Sequence, residues 1–289
     1  TNAAGVAVAA GDRVVLATGV YLLSDELDVD DAISVGGAPS AVSTVIATTP
    51  GEAAIAVDAT DAELHDVTLI QLTGFPAVDL SRGLVDRVTA ESDGAAACRL
   101  GVTGAGQSLI RDSVCWSGPS SVGAAAVSIS RAGAGTRAGV LRNVTAWAAG
   151  SGGVAIDASA SGGGTVSLDA MNVIASGVAA DVGTSAAAAS TSLVSLSASN
   201  FEQVVSSGAG TNAVTPPNAA ANQTEEPLLV DPPNGEFDQQ AGSPTIDAGA
   251  EGTFLGDRDL GGEARIQGPA PDIGADERDG TAPQTTIES

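Results

Sequence analysis

Leu141-Arg142-Asn143-Val144-Thr145 is followed at Ala170-Met171-Asn172-Val173-Ile174, and again at Ala198-Ser199-Asn200-Phe201-Glu202, by the same arrangement of an Asn and an apolar anchor. Working back towards the N-terminus, Leu64-His65-Asp66-Val67-Thr68, Val85-Asp86-Arg87-Val88-Thr89 and Arg111-Asp112-Ser113-Val114-Cys115 align with them. Aligned this way, the anchors fall at 67, 88, 114, 144, 173 and 201, separated by 21, 26, 30, 29 and 28 residues. A period of this length, carrying several short strands, predicts a solenoid in which each repeat contacts only its neighbours. Its variable spacing places length changes in loops and argues against a strict-repeat design.

The slot before the anchor holds Asn143, Asn172 and Asn200 in the last three repeats, and Asp66, Arg87 and Ser113 earlier. Asn tolerates the left-handed backbone of a tight corner. Stacked about 4.8 Å apart, its amides can hydrogen-bond along the column. A second column alternates: Ala77-Val78-Asp79-Leu80, Ala97-Cys98-Arg99-Leu100, Ala126-Val127-Ser128-Ile129 and Ala155-Ile156-Asp157-Ala158. Strand alternation directs Val78, Cys98, Val127 and Ile156 inward, and Asp79, Arg99, Ser128 and Asp157 outward. On the same alignment Cys115 shares an outward column with Thr68, Thr89 and Thr145. A disulfide with inward Cys98 is therefore not expected, since the two would face opposite ways on different sheets.

An Asn ladder at a strand-to-strand corner resembles the right-handed parallel β-helix of the pectate-lyase-like superfamily. The expected class is accordingly all-β, a single-stranded right-handed parallel β-helix with an irregular C-terminal cap. Residues 1–60 read as an N-terminal cap and opening coils, with a short helix expected over Thr1 to Ala10. Residues 61–215 form the repeats, 216–279 a C-terminal cap, and 280–289 a linker to a further region. Towards the C-terminus, Gly242-Ser243-Pro244-Thr245-Ile246-Asp247-Ala248-Gly249, then Asp259-Leu260-Gly261-Gly262-Glu263-Ala264-Arg265, then Asp272-Ile273-Gly274-Ala275-Asp276-Glu277 resemble, in order, the choice-of-anchor Q domain family. That family often has an aromatic where this chain has Asp276. The resemblance implies a secreted bacterial surface protein with a β-helix body; the motif does not itself imply a catalytic activity. Physically, the motif reads as a cap in which Arg265 pairs with acidic neighbours and fixes the terminal coil.

Composition narrows the chemistry. The 289 residues carry 11 basic side chains, all Arg, against 35 acidic ones, a net charge of −24. So acidic a chain is not expected to bind nucleic acid through its phosphates. No apolar run reaches the roughly 18 residues of a membrane span. Aromatics make up 2% of residues, which predicts a thin core rather than a thick one. The acidity itself has two readings, a solubilising exposed surface and Ca²⁺ binding by Asp clusters. Asp257, Asp259 and Glu263 mimic part of a calcium loop, although Arg258 intrudes; Ca²⁺ is the one cofactor the sequence leaves open. No signal peptide is recognisable, so the chain reads as a trimmed piece of a longer protein.

The superfamily resemblance also implies polysaccharide-cleaving relatives. With no Lys, a Lys base is excluded, and His65 is the sole His, so no Ser-His-Asp or His-rich zinc site can be assembled around a second one. His65 is expected to face solvent near a corner. The candidate catalytic constellation is Asp79, Arg99 and Asp157, with Arg99 between Asp79 and Ser128; the alternative is an Arg that merely neutralises its neighbours. Trp116 and Trp147 are candidates to stack on sugar rings, Trp116 equally a core residue. Asn143-Val144-Thr145 and Asn222-Gln223-Thr224 match glycosylation acceptors. The expected function is a monomeric, non-catalytic extracellular or cell-surface module for adhesion, carbohydrate contact or structural display, its partner a polysaccharide or cell-envelope glycan. The rival is a polysaccharide lyase or glycoside hydrolase on the outward face.

Overall fold

The computed structural model describes residues 9–37, 43–47, 51–103 and 108–278. Of the helix expected over Thr1 to Ala10, residues 1–8 lie outside the described residues and Ala9–Ala10 are not helical, while the linker expected at 280–289 also lies outside them. Among those described, the only helical element is a 3-10 turn at Pro232–Asn234. Eighteen strands form one sheet that winds about 332° around an axis. All its pairings are parallel except that of Val102–Thr103 with part of Gly135–Ala148. The fold is a right-handed parallel β-helix.

Three faces repeat up the axis. Face A runs through Cys98–Leu100, Ala125–Ala132, Val154–Ser161, Ala180–Ala186 and Val204–Ser207. Faces B and C are made mostly by single long strands that bend at the corner slot, such as Ile55–Gln71, Val78–Ser92, Gly135–Ala148 and Gly164–Gly177. The bend is a single left-handed residue: Asp66, Arg87, Asp112, Asn143, Asn172 and Ala198 have φ of 52°, 52°, 48°, 50°, 56° and 44°. One such residue turns the chain without breaking the ladder on either side.

These φ values correct the predicted alignment. Asp112, not Ser113, occupies the corner, and Ala198 does so in place of Asn200. Ser113 lies level with Val144, while Val114 pairs with Thr89 and Thr145. The single file is therefore Val67, Val88, Ser113, Val144 and Val173, with Val114 one position out. At both Ser113 and Ser199 the hydroxyl accepts the N–H of the valine below or above it, Val88 at 3.0 Å and Val173 at 3.1 Å, which lets a polar residue sit in an apolar file.

The one-residue slip has a large consequence, because moving a strand by one reverses every side chain. Cys115 points inward, level with Ala90 and Ala146, and forms a disulfide with Cys98, its Cα 5.8 Å from that of Cys98. The expectation of two separate thiols is overturned. The two cysteines belong to faces A and C of one coil, and across so thin a core their side chains meet. Around them the core is a stack of small and medium aliphatics, for example Leu64, Val85, Ile110, Leu141, Ala170 and Leu196 at successive levels.

The C-terminal segment lies along the side of the coils. Its hydrogen bonds reach Arg142 through the Thr253 carbonyl, Asn172 through Ala250, and Thr145 through the Ala275 N–H. Face C explains why. Its outward residues Val114, Trp116, Trp147 and Ile174 form an apolar strip, covered by Leu229, Phe237, Ile273 and Ala275 of this strap. The Phe237 ring meets both indoles edge-on, with centroids 5.9 and 6.1 Å away.

Candidate functional site

Face A presents the predicted column as expected. Asp79 pairs with Arg99, Arg99 with Ser128, and Ser128 with Asp157, while Val78, Cys98, Val127 and Ile156 are buried behind them. The Arg99 guanidinium donates to the Asp79 carboxylate, and that bond raises the affinity of Arg99 for its proton. Asp157 stands one rung beyond Ser128. Burial pushes its carboxyl above the ordinary range.

The turns around the face are short. Among the described residues between Ile55 and Val214, no connection between strands exceeds seven residues, as in Gly118–Ala124. Depressions lined by described residues lie elsewhere on the surface. One, of about 560 Å³, lies over Thr60, Asp61, Glu63, Gly83 and Leu84. Another, of about 380 Å³, lies over Ser130, Arg131, Ser159, Ser161 and Ser185. Neither takes in Asp79, Arg99 or Asp157. The first is acidic, and a uronate polymer would meet Asp61 and Glu63 there without a lining cation to offset its charge.

The corner column is a continuous polar network. The Asn143 amide donates to Asp112 Oδ1 at 2.8 Å, and the Asn172 amide donates to Asn143 Oδ1 at 2.9 Å. The Ala250 N–H closes the ladder on Asn172 Oδ1 at 2.8 Å. Below Asp112 the chemistry changes to ions: Arg111 bonds Asp86, Arg87 bonds both Asp86 and Asp66, and His65 bonds Asp66 at 2.7 Å. Burial alone would raise the Asp66 carboxyl, but the bonds from His65 and Arg87 outweigh it and hold it down at about 2.

His65 is thus not solvent-facing. It is 4% exposed, its Nε2 lies 2.9 Å from Ser34 Oγ, and it packs on Gly36, where an added Cβ would stand 2.0 Å from the His65 carbonyl oxygen. Asn143 is fully buried in the ladder and is closed to glycosylation. Trp116 is 9% exposed under the strap, and Trp147 packs against the same Phe237, so neither offers an open ring face as a sugar platform.

Arg265 is the strap's anchor. It is 3% exposed and pairs with Glu277 at 3.0 Å and with Asp112 at 3.5 Å. It also donates to the carbonyls of Asp272 and Ala275 at 3.0 Å. The ion pair therefore ties the strap to a middle coil, not to the terminal one. Burial raises Asp112 to about 7, against the pull of Arg265 and Asn143, and burial likewise raises Glu277 to about 7.

The calcium-loop residues are differently employed. Asp259 is buried and accepts the N–H groups of Glu263 at 2.7 Å and Glu277 at 3.1 Å. Asp257 and Glu263 are exposed, and the Glu263 carboxylate accepts from Gln267 at 2.9 Å. Among the described residues no group of three or more His, Cys, Asp or Glu is arranged to hold a metal.

No family model matches the chain, and no curated protein matches it. The C-terminal resemblance noted above accordingly rests on its own residues. Among solved structures, the chain is similar to one described as the crystal structure of pectate lyase Pel9A, with 12% identity and a TM-score of 0.39 over 94% of this chain and 89% of that one. The assignment of the fold rests on the strand register described above. No helix among the described residues is long and apolar enough to cross a membrane.

Proposed function

We propose that this chain is a rigid extracellular β-helix module that presents its outward faces for contact with glycans or neighbouring envelope components, without chemistry of its own. The carrying observation is the state of face A. Its one cation among the candidates, Arg99, is already paired with Asp79, and its turns of seven residues or fewer build no wall around a substrate. A lyase needs a base and free positive charge to neutralise a uronate. A hydrolase needs two carboxyl groups flanking one bond. Asp79 and Asp157 are instead separated by Arg99 and Ser128 on successive rungs. The buried Cys98–Cys115 disulfide supports an oxidising compartment.

The test is to incubate the purified chain with a panel of acidic and neutral polysaccharides while following both unsaturated products and reducing ends, with a glycan array run on the same protein. Array binding without turnover is expected. Turnover that disappears in Asp157→Asn would overturn the proposal.

A further inference from the structure

In the early coils three side chains are hydrogen-bonded in a line on face B. Ser34 opens the strand Ser34–Gly37, which pairs with Ile55–Gln71 so that Ser34 lies level with Glu63 and Gly36 with His65. Val35 is buried in the core, so alternation turns Ser34 and Gly36 outward. Gly36 has no side chain, and the imidazole of His65 takes that space: an added Cβ would stand 2.8 Å from its Cγ and Nδ1. From there Nε2 reaches Ser34 Oγ at 2.9 Å, and Nδ1 reaches Asp66 Oδ2 at 2.7 Å. Asp66 turns back on its own neighbour because it is the left-handed corner residue, with φ of 52°.

The protonation states follow from the partners. Arg87 holds both oxygens of Asp66, at 2.8 and 3.0 Å. Against the cost of burial, the bonds from His65 and Arg87 keep Asp66 ionised down to about 2. Facing a carboxylate, Nδ1 carries the imidazole proton, which leaves the Nε2 lone pair to accept the Ser34 O–H. Asp86 and Arg111 face the ring from the next two rungs and are bonded to each other at 2.9 Å, so the charge above the imidazole is already paired. Hydroxyl, imidazole and carboxylate thus stand as nucleophile, general base and orienting group. Such an arrangement is recognised by geometry and roles, whatever the fold or the order along the chain. It needs a single His, and this chain has one.

We propose that Ser34, His65 and Asp66 form an acyl-transfer site that hydrolyses uncharged carboxylic esters. Ser34 Oγ attacks the ester carbonyl carbon as its proton passes to His65 Nε2. The bond from that carbon to the alcohol oxygen then breaks, and the proton moves from Nε2 onto the leaving alcohol. Water, deprotonated by Nε2 in the same way, attacks the acyl-Ser34, releases the acid and restores the proton to Ser34 Oγ. Asp66 touches no substrate and is a positioning residue. Arg13, exposed and level with Ser34 on the preceding rung, is the adjacent cation for the developing oxyanion. The depression of about 560 Å³ begins at Glu63, level with Ser34 on the following rung, and continues over Leu84 and Leu109. Its Asp61 and Glu63 disfavour an anionic substrate, and its leucines suit an acyl group. The activity goes beyond the module reading, whose exclusions concern glycan-chain cleavage on face A; this site is on face B and acts on acyl groups, not on the bonds between sugars.

The test is reaction of the full chain with p-nitrophenyl acetate, together with labelling by a fluorophosphonate probe located by peptide mass spectrometry. Hydrolysis above the buffer rate and a label on Ser34 are expected, and both are lost in Ser34→Ala, a small change on an outward position. His65→Gln, checked for native circular dichroism, should slow both hydrolysis and labelling by about 100-fold or more. Asp66→Asn should lower kcat at unchanged KM, as a group that orients the base without touching substrate does. A folded wild-type chain that leaves Ser34 unlabelled, or hydrolysis that survives Ser34→Ala undiminished, would overturn the proposal while leaving the module reading in place.

Discussion

Removing the disulfide by Cys98→Ala/Cys115→Ala tests the interior register where the structure and the simple repeat alignment disagree. The bond joins faces A and C across a coil and closes a loop with a sequence separation of 17. Loop-closure entropy for that length corresponds to about 3 kcal/mol of unfolding free energy. Both sulfurs are essentially fully buried, and the lost packing adds to that figure. Trp116 follows Cys115 directly and contacts the strap through Phe237, so its fluorescence reports on this coil. Urea unfolding followed by fluorescence and by circular dichroism should show a stability loss of about 3 kcal/mol or more, with the fluorescence transition shifted at least as far as the dichroism. A loss below about 1 kcal/mol, or free thiols in the denatured but unreduced wild-type protein, would refute the reasoning.

Two further outcomes follow from the strap. Arg265→Met removes the guanidinium shared by Asp112 and Glu277, leaving Asp112 only the more distant Arg111 at 3.9 Å, and breaking a buried pair in this way costs about 3–5 kcal/mol; proteolysis should then cut within the strap while the coils resist, and unchanged resistance would contradict its role as anchor. Stability should also depend on pH in a defined sense. Asp112 and Glu277 ionise near 3.8 and 4.5 when unfolded but hold their protons to about 7 when folded. The folded state binds more protons between those limits, so their contribution is full in acid and is lost as pH rises through about 7. Asp66 behaves oppositely, its contribution present above its ordinary 3.8 and lost as pH falls towards about 2. The melting temperature should peak at moderately acid pH and fall towards pH of about 8.5, less steeply in Asp112→Asn; a flat profile across that range would count against the network.

How far the fold was legible depends on which residues carried the signal. Asn143 and Asn172 marked the corner because left-handed backbone and ladder bonding both favour Asn, and these two indeed bond one another. The outward column from Asp79 to Asp157 was legible because strict alternation left only one phase. The alignment slipped at Val114 because it matched an apolar anchor to an apolar anchor, whereas the protein accepts Ser113 in that file and satisfies its hydroxyl locally. The aliphatic residue two positions before the corner was the better guide: Leu64, Val85, Ile110 and Leu141 stack without exception. From Ile110, the corner falls on Asp112 and Cys115 turns inward. The strap's destination was not legible. Its partners lie as far as 153 residues away, as with Arg265 and Asp112, and no local periodicity encodes that distance. Even so, the apolar outward residues Val114, Trp116, Trp147 and Ile174 were a visible hint that something covers face C.

The central claim, coils stacked in this register, is tested most directly by engineered cross-linking. Thr165 and Thr191 pair on adjacent rungs of face B, and Ser192, one residue on, is fully buried. Thr165→Cys combined with Thr191→Cys should form an intramolecular disulfide under mild oxidation, identified by peptide mapping, while Thr165→Cys combined with Ser192→Cys should not. Equal linkage of both pairs, or linkage of only the second, would contradict the stacking on which every other assignment depends.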